Sequence, residues 1–348
     1  MEPATLIPDA DAIPAAWPWF KALLIPCFAV HLLFMNALLG SAVIGWVQSL
    51  RPRASEPETL RRIGKHLTFT MAFTINFGVA ALLFMQVLYG HLFYTSSILM
   101  AVWWLSSLAL VLTGYAAAYW IDLRCDGPAG GRSLIWTLMV AVLLLVGFVF
   151  VNNITMMQDP ASWPRYLEAP GGTLLHLEDP TLIPRYLHFV IASVAVGGLV
   201  LAVVNRHRSP ERAAEFMRWF AAATALQFII GGWFFIMLPS GVRLSLMGAD
   251  TQATALFAAA LAAVLVSLVF GIKQRIWPSA GATAMTVLTM VLVRDKVRSV
   301  YLAPFFSVRD LTAQPQLSPL LVFGLFLILG VVAVSYMLRL YLKTRQVS

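Results

Sequence analysis

Residues 183–204 read IPRYLHFVIASVAVGGLVLAVV, and the fold can be inferred outward from this stretch. Its apolar run has the length of about 20 residues that an α-helix needs to cross the hydrocarbon core of a bilayer. One ionisable side chain, His188, lies inside it. Because such a side chain is unfavourable in hydrocarbon unless it is paired or bound, it indicates a functional site. The helix also carries small residues that would let another helix or a flat ligand approach: Ala192, Ala195, Gly197 and Gly198.

His188 has two interpretations. It could be an axial ligand of a haem iron, or a histidine that hydrogen-bonds to a neighbouring helix. Arg185 and Tyr186 precede it, as expected of side chains that anchor a helix at the membrane interface. The stretch alone leaves both interpretations open.

The composition of the whole chain predicts a polytopic membrane protein. Of its 348 residues, 60% are hydrophobic and 11% are charged, whereas soluble domains carry about a quarter charged residues. The net charge of +8 does not indicate nucleic-acid binding, because most basic residues fall in short connections on one side of the predicted membrane. The acidic start of the chain lacks the basic region of a signal peptide, so we expect the first helix to be retained.

The cysteines restrict the chemistry further. Cys27 falls in the first predicted helix and Cys125 in a loop, separated by much of the bilayer, so no disulfide is predicted between them. The sequence contains no CxxCH motif. A covalently attached c-type haem is therefore not expected on this chain.

Runs of apolar residues predict nine membrane-spanning helices. We predict an all-α bundle forming a single membrane domain over residues 1–348, in which 18–205 supply a five-helix part and 206–348 a four-helix part. The first two runs exceed the hydrocarbon thickness and should tilt or project. The predicted spans are 18–49, 66–94, 97–121, 133–157, 182–205, 216–239, 251–272, 281–303 and 317–342.

The basic residues predict the orientation of the bundle. Sixteen of the 24 Lys and Arg residues fall in the connections on the side of the C-terminus, and eight fall on the opposite side. Basic residues are enriched on the cytoplasmic side of membrane proteins. The N-terminus should therefore be outside and the C-terminus inside. The longest outer connection, about 158–181, reads as an ordered interfacial loop with one short helix.

Three histidines fall in the outer half of the predicted membrane. His31 lies about 15 Å into the first helix and His188 about 9 Å into the fifth, at 1.5 Å per residue. His91 closes the second helix at its outer end. We take these three as candidate metal ligands, with His31 and His188 favoured. The remaining histidines are expected to be solvated or to lie in a loop: His66, His176 and His207.

A haem site needs axial ligands on fixed helices, an apolar pocket and polar partners for the propionates. Arginine and tyrosine side chains on the outer side would suit the propionates: Arg185, Tyr166, Arg243 and Arg298. Three methionines lie at a depth suitable for a second ligand: Met156, Met157 and Met247. Methionine fills gaps in a core far more often than it binds iron.

Several motifs resemble subunit I of cytochrome bd quinol oxidase. The first helix contains HLLFMNALLGSAVIGWVQS at 31–49 and the second FTINFGVA at 73–80. VNNITMMQDP at 151–160 and PRYLHFVIASVAVGG at 184–198 are similar to the end of the family's fourth helix and to its fifth helix. Asp295 and Arg298 are similar to an acidic-x-x-Arg pair beside the family's dihaem centre. By this resemblance, His188 would bind a low-spin haem b and His31 a haem of the second centre.

The chain also departs from the family. The third span, MAVWWLSSLALVLTGYAAA, lacks the glutamates that the family uses near its oxygen-reducing site. The loop after the sixth span is too short for the family's quinol-binding loop, and TQATALF offers no methionine opposite the low-spin haem. Asp295 is shorter than the family's glutamate. Since oxygen reduction needs protons delivered to a buried site, these departures favour electron transfer over oxygen reduction.

The sequence therefore predicts a membrane cytochrome b of the bacterial inner membrane. It would hold haem b, in one or more copies, and link the quinone pool to an outer redox partner such as a c-type cytochrome, among other respiratory subunits and lipid. The residues predicted to form the site are His31, His188, His91, Met247, Arg185, Arg298 and Asp295. Two alternatives remain open: a bd-type quinol:oxygen oxidoreductase, and a transporter or assembly subunit without a cofactor. In the latter, VRDKVRS at 293–299 would be a charged pathway element, although it could also mark where the eighth span leaves the membrane.

Overall fold

A computed structural model describes residues 6–50, 57–123, 129–168 and 170–347, and these ranges contain helices and no β-strand. Nine of the described helices are long and apolar enough to cross a membrane, which confirms the predicted all-α polytopic bundle. Cys125 lies outside the described residues. The helices are α1 (Trp17–Ser49), α2 (Pro57–Leu99), α3 (Ala101–Leu123), α4 (Ala129–Gln158), α5 (Leu182–Asn205), α6 (Pro210–Met237), the short α7 (Ser240–Leu244), α8 (Thr251–Ile272), α9 (Ile276–Leu302) and α10 (Leu317–Val347).

The junction of α2 and α3 differs from the predicted break at 94–97. Helix α2 continues to Leu99, and the buried Met100 alone separates it from α3. The polar residues at the break stay helical because their hydroxyls bond back to their own helix. Thr95 donates to the carbonyl of His91, and Ser97 to that of Phe93, both at 2.8 Å or less.

Helix α2 is 43 residues long, or about 65 Å at 1.5 Å per residue, roughly twice the hydrocarbon thickness. Its backbone leaves the helical region at Tyr89, where φ is −136° and ψ is 22°. The second helix is therefore longer than the hydrocarbon thickness, as predicted from the sequence, and it is interrupted at Tyr89 near one end. Its tilt or projection from the membrane stays a prediction.

We call the end of the bundle at which α1 begins the N-terminal end. A 3-10 helix, Pro160–Glu168, lies there and accounts for the short helix predicted in the long connection. The loop after it covers the α2–α3 junction, because the Val102 amide donates to Gly172 at 2.9 Å. The amino-terminal segment is also fixed there, since the Ile13 amide donates to Thr312 at 2.9 Å.

Helices α1 and α5 meet at glycines in the middle of the bundle. A Cβ atom added to Gly40 would overlap the backbone of Ser193, and one added to Gly197 would overlap the backbone of Gly40. Small residues allow this approach between membrane helices. The stretch at 183–204 therefore packs its glycine face against α1, and this pair forms the centre to which α2, α4, α6 and α9 are added.

Helix α10 lies apart from the bundle. None of the described side chains in its membrane-spanning segment, Leu317–Lys343, is buried. Helices α1 to α6 share a core with the large buried side chains Trp136, Phe216 and Phe220, whereas α8 packs against α9 in a separate cluster that includes Ala260 and Val293. A second buried cluster at the N-terminal end includes Leu88 and Trp163. The surface of α10 is apolar and suited to lipid.

The α1–α5 contact predicts the effect of a single methyl group. Gly197→Ala should lower the unfolding free energy by about 2 kcal/mol, because overpacking forces backbone shifts. Gly281→Ala is the matched control: it lies in helix α9, and nothing lies within 4 Å of its added Cβ. Thermal unfolding in detergent should show a lower midpoint for the first variant only. Equal midpoints would contradict the close contact.

Candidate functional site

His31 lies on α1 and faces α2. Its Nδ1 atom is 2.9 Å from the carbonyl oxygen of Thr74. A Cβ on Gly78, one turn further along α2, would lie 2.8 Å from the imidazole Cε1. The ring also stacks on Phe28, with 6.1 Å between centroids. Because Nδ1–H can donate to the carbonyl, the Nε2 atom keeps the lone pair that a metal ligand requires.

His188 lies on α5 and faces α6. A Cβ on Gly231 would lie 3.3 Å from two atoms of the imidazole, and the ring of Phe234 is 6.1 Å away between centroids. Gln227 of α6 donates to the backbone carbonyl of His188 at 2.6 Å. The Nδ1 atom of His188 is buried and has no hydrogen-bond partner among the described residues.

The two histidines lie toward the same end of the bundle but in different helix interfaces. His31 precedes Gly40 by nine residues, and His188 precedes Gly197 by nine, so both lie about 13 Å from the glycine contact. The three spans between α1 and α5 make the two helices parallel, which places both rings toward the N-terminal end. We call the part of the bundle at the height of His31 and His188 the layer. One ring faces α2 and the other faces α6, so the two histidines lie in the same layer but in separate sites.

Helix α9 contributes charged side chains to this layer. Its segment 293–299 stays helical and continues to Leu302. Asp295 and Arg298 are 7% and 3% exposed, so both lie inside the bundle. The Asp295 Oδ2 atom is 2.7 Å from the Lys21 Nζ atom, and its Oδ1 atom is buried without a partner in the described chain. Asp295 is thus already paired with a cation of α1.

The arginines of this layer contact neutral groups. Arg298 donates to the Met85 sulfur at 3.4 Å and lies over the Tyr89 ring, 4.9 Å from its centroid. Arg185 donates to Thr155, Gln158 and Thr181 at 3.0 to 3.1 Å. It also lies 5.5 Å from the centroid of Phe234. Because Phe234 also contacts His188, Arg185 borders the helix-five histidine.

His91 and Met247 occupy different surroundings. His91 packs edge-on against Phe306, with 4.4 Å between centroids. Met247 lies in the distorted turn Ser245–Ala249 and is 68% exposed. No described contact joins either side chain to His31 or His188. Their roles as ligands stay predictions.

The other side chains considered as haem contacts have structural partners. Met156 and Met157 are buried in the cluster at the N-terminal end, and Tyr166 packs against the same cluster. Arg243 donates to the carbonyl of Ile236, between α6 and α7.

The remaining histidines lie apart from this layer. His176 is buried in the long connection, with its Nε2 atom 3.0 Å from Asp159 Oδ2 and 3.7 Å from Asp179 Oδ2. It closes the loop over the bundle, in contrast to the expected exposed loop residue. His207 is exposed as expected, and His66 is half-buried.

One acidic side chain at the N-terminal end caps a helix. Asp250 precedes α8 and accepts from the amides of Gln252 and Ala253 at 2.9 and 3.1 Å. The Ala253 amide, with Lys296 nearby, lowers the pKa of this carboxyl below its ordinary value. Asp250 therefore stays ionised at neutral pH and stabilises the start of α8.

The sequence analysis did not identify several residues of the layer. The imidazoles are contacted from neighbouring helices by Thr74, Gly78 and Gly231, and no pattern within α2 or α6 predicts these contacts. Arg294 could have been identified from its spacing, because it precedes Arg298 by four residues and the two therefore lie on one helix face.

Within the described ranges, no group of three or more His, Cys, Asp or Glu side chains is arranged to hold a metal ion. A haem needs one or two protein ligands, so single histidines are the relevant feature. A scan against protein-family models finds no match for this chain, and a search of curated proteins finds no similar sequence.

The pairing of Lys21 with Asp295 predicts a coupled response to mutation. Lys21→Met should lower the unfolding free energy by about 3 kcal/mol, because it leaves a buried carboxylate without its cation. The double variant Lys21→Met, Asp295→Asn should recover much of that loss. Thermal unfolding of the four proteins in a double-mutant cycle measures the coupling. Additive effects would show that the two side chains do not interact.

Proposed function

We propose that this protein is a membrane cytochrome b in a bacterial cytoplasmic membrane, distantly related to subunit I of cytochrome bd quinol oxidase. It would bind haem b through His31 and His188 and carry electrons between the quinone pool and a partner such as a c-type cytochrome. The observation that carries this proposal is that two imidazoles lie in one layer of a membrane bundle, each against a glycine of the next helix.

The residues present fit a haem. The His31 Nδ1 atom is fixed by Thr74, which leaves Nε2 for iron. The Nδ1 atom of His188 is buried and lacks a partner in the described chain, so this imidazole is not held in place by an interhelical hydrogen bond of its own. The buried Arg298 of α9 and the half-buried Arg185 of α5 lie in the same layer and suit the negative charge of propionates. Two separate histidine interfaces further favour two haems over one.

When bound, haem would supply one-electron redox chemistry. The protein would position the haem and exclude water from it. Thr74 would orient the His31 ring, Gly78 and Gly231 would let helices close against the rings, and Phe28 and Phe234 would exclude water. Asp295 is a poorer candidate for an iron ligand in this arrangement, because Lys21 pairs with its Oδ2 atom and only its Oδ1 atom would remain for iron.

The position of the layer in the bundle supports the proposed redox partner on the outer side of the membrane. Both histidines lie toward the N-terminal end, which the distribution of basic residues predicts to be outside. Electron transfer to a partner on that side would therefore cross only part of the membrane. A quinone would supply or accept electrons from within the bilayer. The isolated α10 adds a further apolar surface for lipid or a respiratory subunit.

Oxygen reduction is the less supported redox function. In α3 no acidic side chain lies between Ala101 and Ile121, so the helix lacks the carboxylates that would line a proton path in that position. A different observation supports the alternative function, a transporter or assembly subunit without a cofactor. The contacts of His31 with Thr74 and of Gln227 with the carbonyl of His188 are interhelical hydrogen bonds, as structural residues make.

Haem content after removal of each histidine tests the proposal. The purified protein should show a sharp dithionite-reduced α-band and about two haems b by pyridine haemochrome. His31→Ala and His188→Ala should each lose about one haem, since each removes one axial ligand. His207→Ala is the control, because His207 is exposed and distant from the layer.

The outcomes separate the functions. An absent Soret band in folded protein from haem-sufficient cells would eliminate both redox functions and favour the role without a cofactor. Quinol-dependent oxygen uptake by the purified chain would favour the oxidase. Unchanged haem content in both histidine variants would contradict the proposed ligands.

A further inference from the structure

Three guanidinium groups of the layer form no ion pair with a described carboxylate, although Asp179 is a more distant electrostatic neighbour of Arg185. None of the ion pairs among the described residues includes Arg185, Arg294 or Arg298. The nearest carboxylate of α9, Asp295, is taken by Lys21. The Nε atoms of Arg185 and Arg298 are also buried without a hydrogen-bond partner in that part of the chain.

The three arginines are also electrostatic neighbours. Arg294 lies close enough to Arg298 and Arg185 for their positive charges to repel it. Such repulsion is stronger in the interior of a membrane bundle than in water, because the effective dielectric constant is lower. A buried charge is normally paired. The cluster formed by Arg185, Arg294 and Arg298 therefore has the charge of a site for an anionic ligand.

Arg294 is the member of this cluster that shares an aromatic neighbour with the helix-one histidine. Its guanidinium lies over the Phe28 ring, 4.6 Å from the centroid, and the same ring stacks on His31. Arg294 is also an electrostatic neighbour of His31. No hydrogen bond from its side chain to a described residue is present, so its donors are free for a ligand.

We propose that Arg294, together with Arg298, binds the carboxylates of the ligand held at His31, and that this ligand is haem with its propionates directed toward α9. This inference rests on the proposed haem function and adds the residue that recognises the propionate end. The planar guanidinium suits a carboxylate, which it can bind through two parallel hydrogen bonds. Arg185, on the α5 side, borders His188 and would serve the second haem.

The test compares haem with its dimethyl ester, which has the same iron and ring but no carboxylate charge. The protein is purified, stripped of haem in detergent, and titrated with each compound while the Soret band is followed. Wild-type protein should bind haem more tightly than the ester. Arg294→Gln should reduce that preference about tenfold, the effect of losing one charge-assisted hydrogen bond.

Lys296→Gln provides the matched control. It removes one positive charge from the same helix, but Lys296 contacts Gln252 and Asp250 and not the arginine cluster. Its preference for haem over the ester should equal that of wild type. Arg294→Lys keeps the charge without the planar fork and should give an intermediate preference, which covers the case in which Arg294→Gln fails to fold.

Each result is decisive. An unchanged preference in folded Arg294→Gln, or in Arg294→Lys where only that variant folds, would overturn the inference and leave the haem function intact. An equal loss of preference in Lys296→Gln would also overturn it, because the effect would then be the general loss of a positive charge. If wild-type protein binds neither compound, the haem function itself fails, and the proposed ligand fails with it.

Discussion

The close contact between α1 and α5 is the constraint on which the rest of the bundle depends. At Gly40 and Gly197 the two backbones approach so closely that neither position has space for a side-chain atom. Because this contact fixes both the rotation and the height of the two helices, it also fixes where His31 and His188 lie. Each imidazole is directed away from the contact, against α2 and α6. The packing of small residues thus determines the position of the polar ones.

The second constraint is the charge within the layer. Membrane helices associate without a strong hydrophobic force between them, so polar groups between helices must find partners in the bundle. Lys21 and Asp295 satisfy this requirement by pairing α1 with α9. The arginines satisfy it only in part, through neutral oxygens, a sulfur and aromatic rings. An excess of positive charge inside a bundle is unfavourable unless an anionic group compensates it, which is the physical basis of the proposed contact with haem propionates.

The sequence predicts the elements of this fold better than their contacts. Run length and hydropathy were enough for nine spans, because a helix in hydrocarbon must satisfy its own backbone hydrogen bonds. The α2–α3 junction was misplaced, since Thr95 and Ser97 look like loop residues but bond within the helix. Likewise, 293–299 offered an exit from the membrane as one interpretation, yet Asp295 and Arg298 are buried. Burial of a charged segment depends on neighbours that are distant in sequence.

The same distinction applies to the site. Counting residues along their helices predicts that His31 and His188 lie in the same half of the membrane, and the structure places both toward the N-terminal end of the bundle. Counting residues could not predict which helix interface each ring enters, because that depends on how α1 and α5 are rotated about their glycine contact. That rotation has a functional consequence. If the histidines bind haem as proposed, rings in one interface could share a single ligand, whereas rings against α2 and α6 would need separate ligands with the α1–α5 pair between them. The charges beside the two rings come from different helices: Arg294 of α9 lies over Phe28, which stacks on His31, and Arg185 of α5 lies against Phe234, which contacts His188.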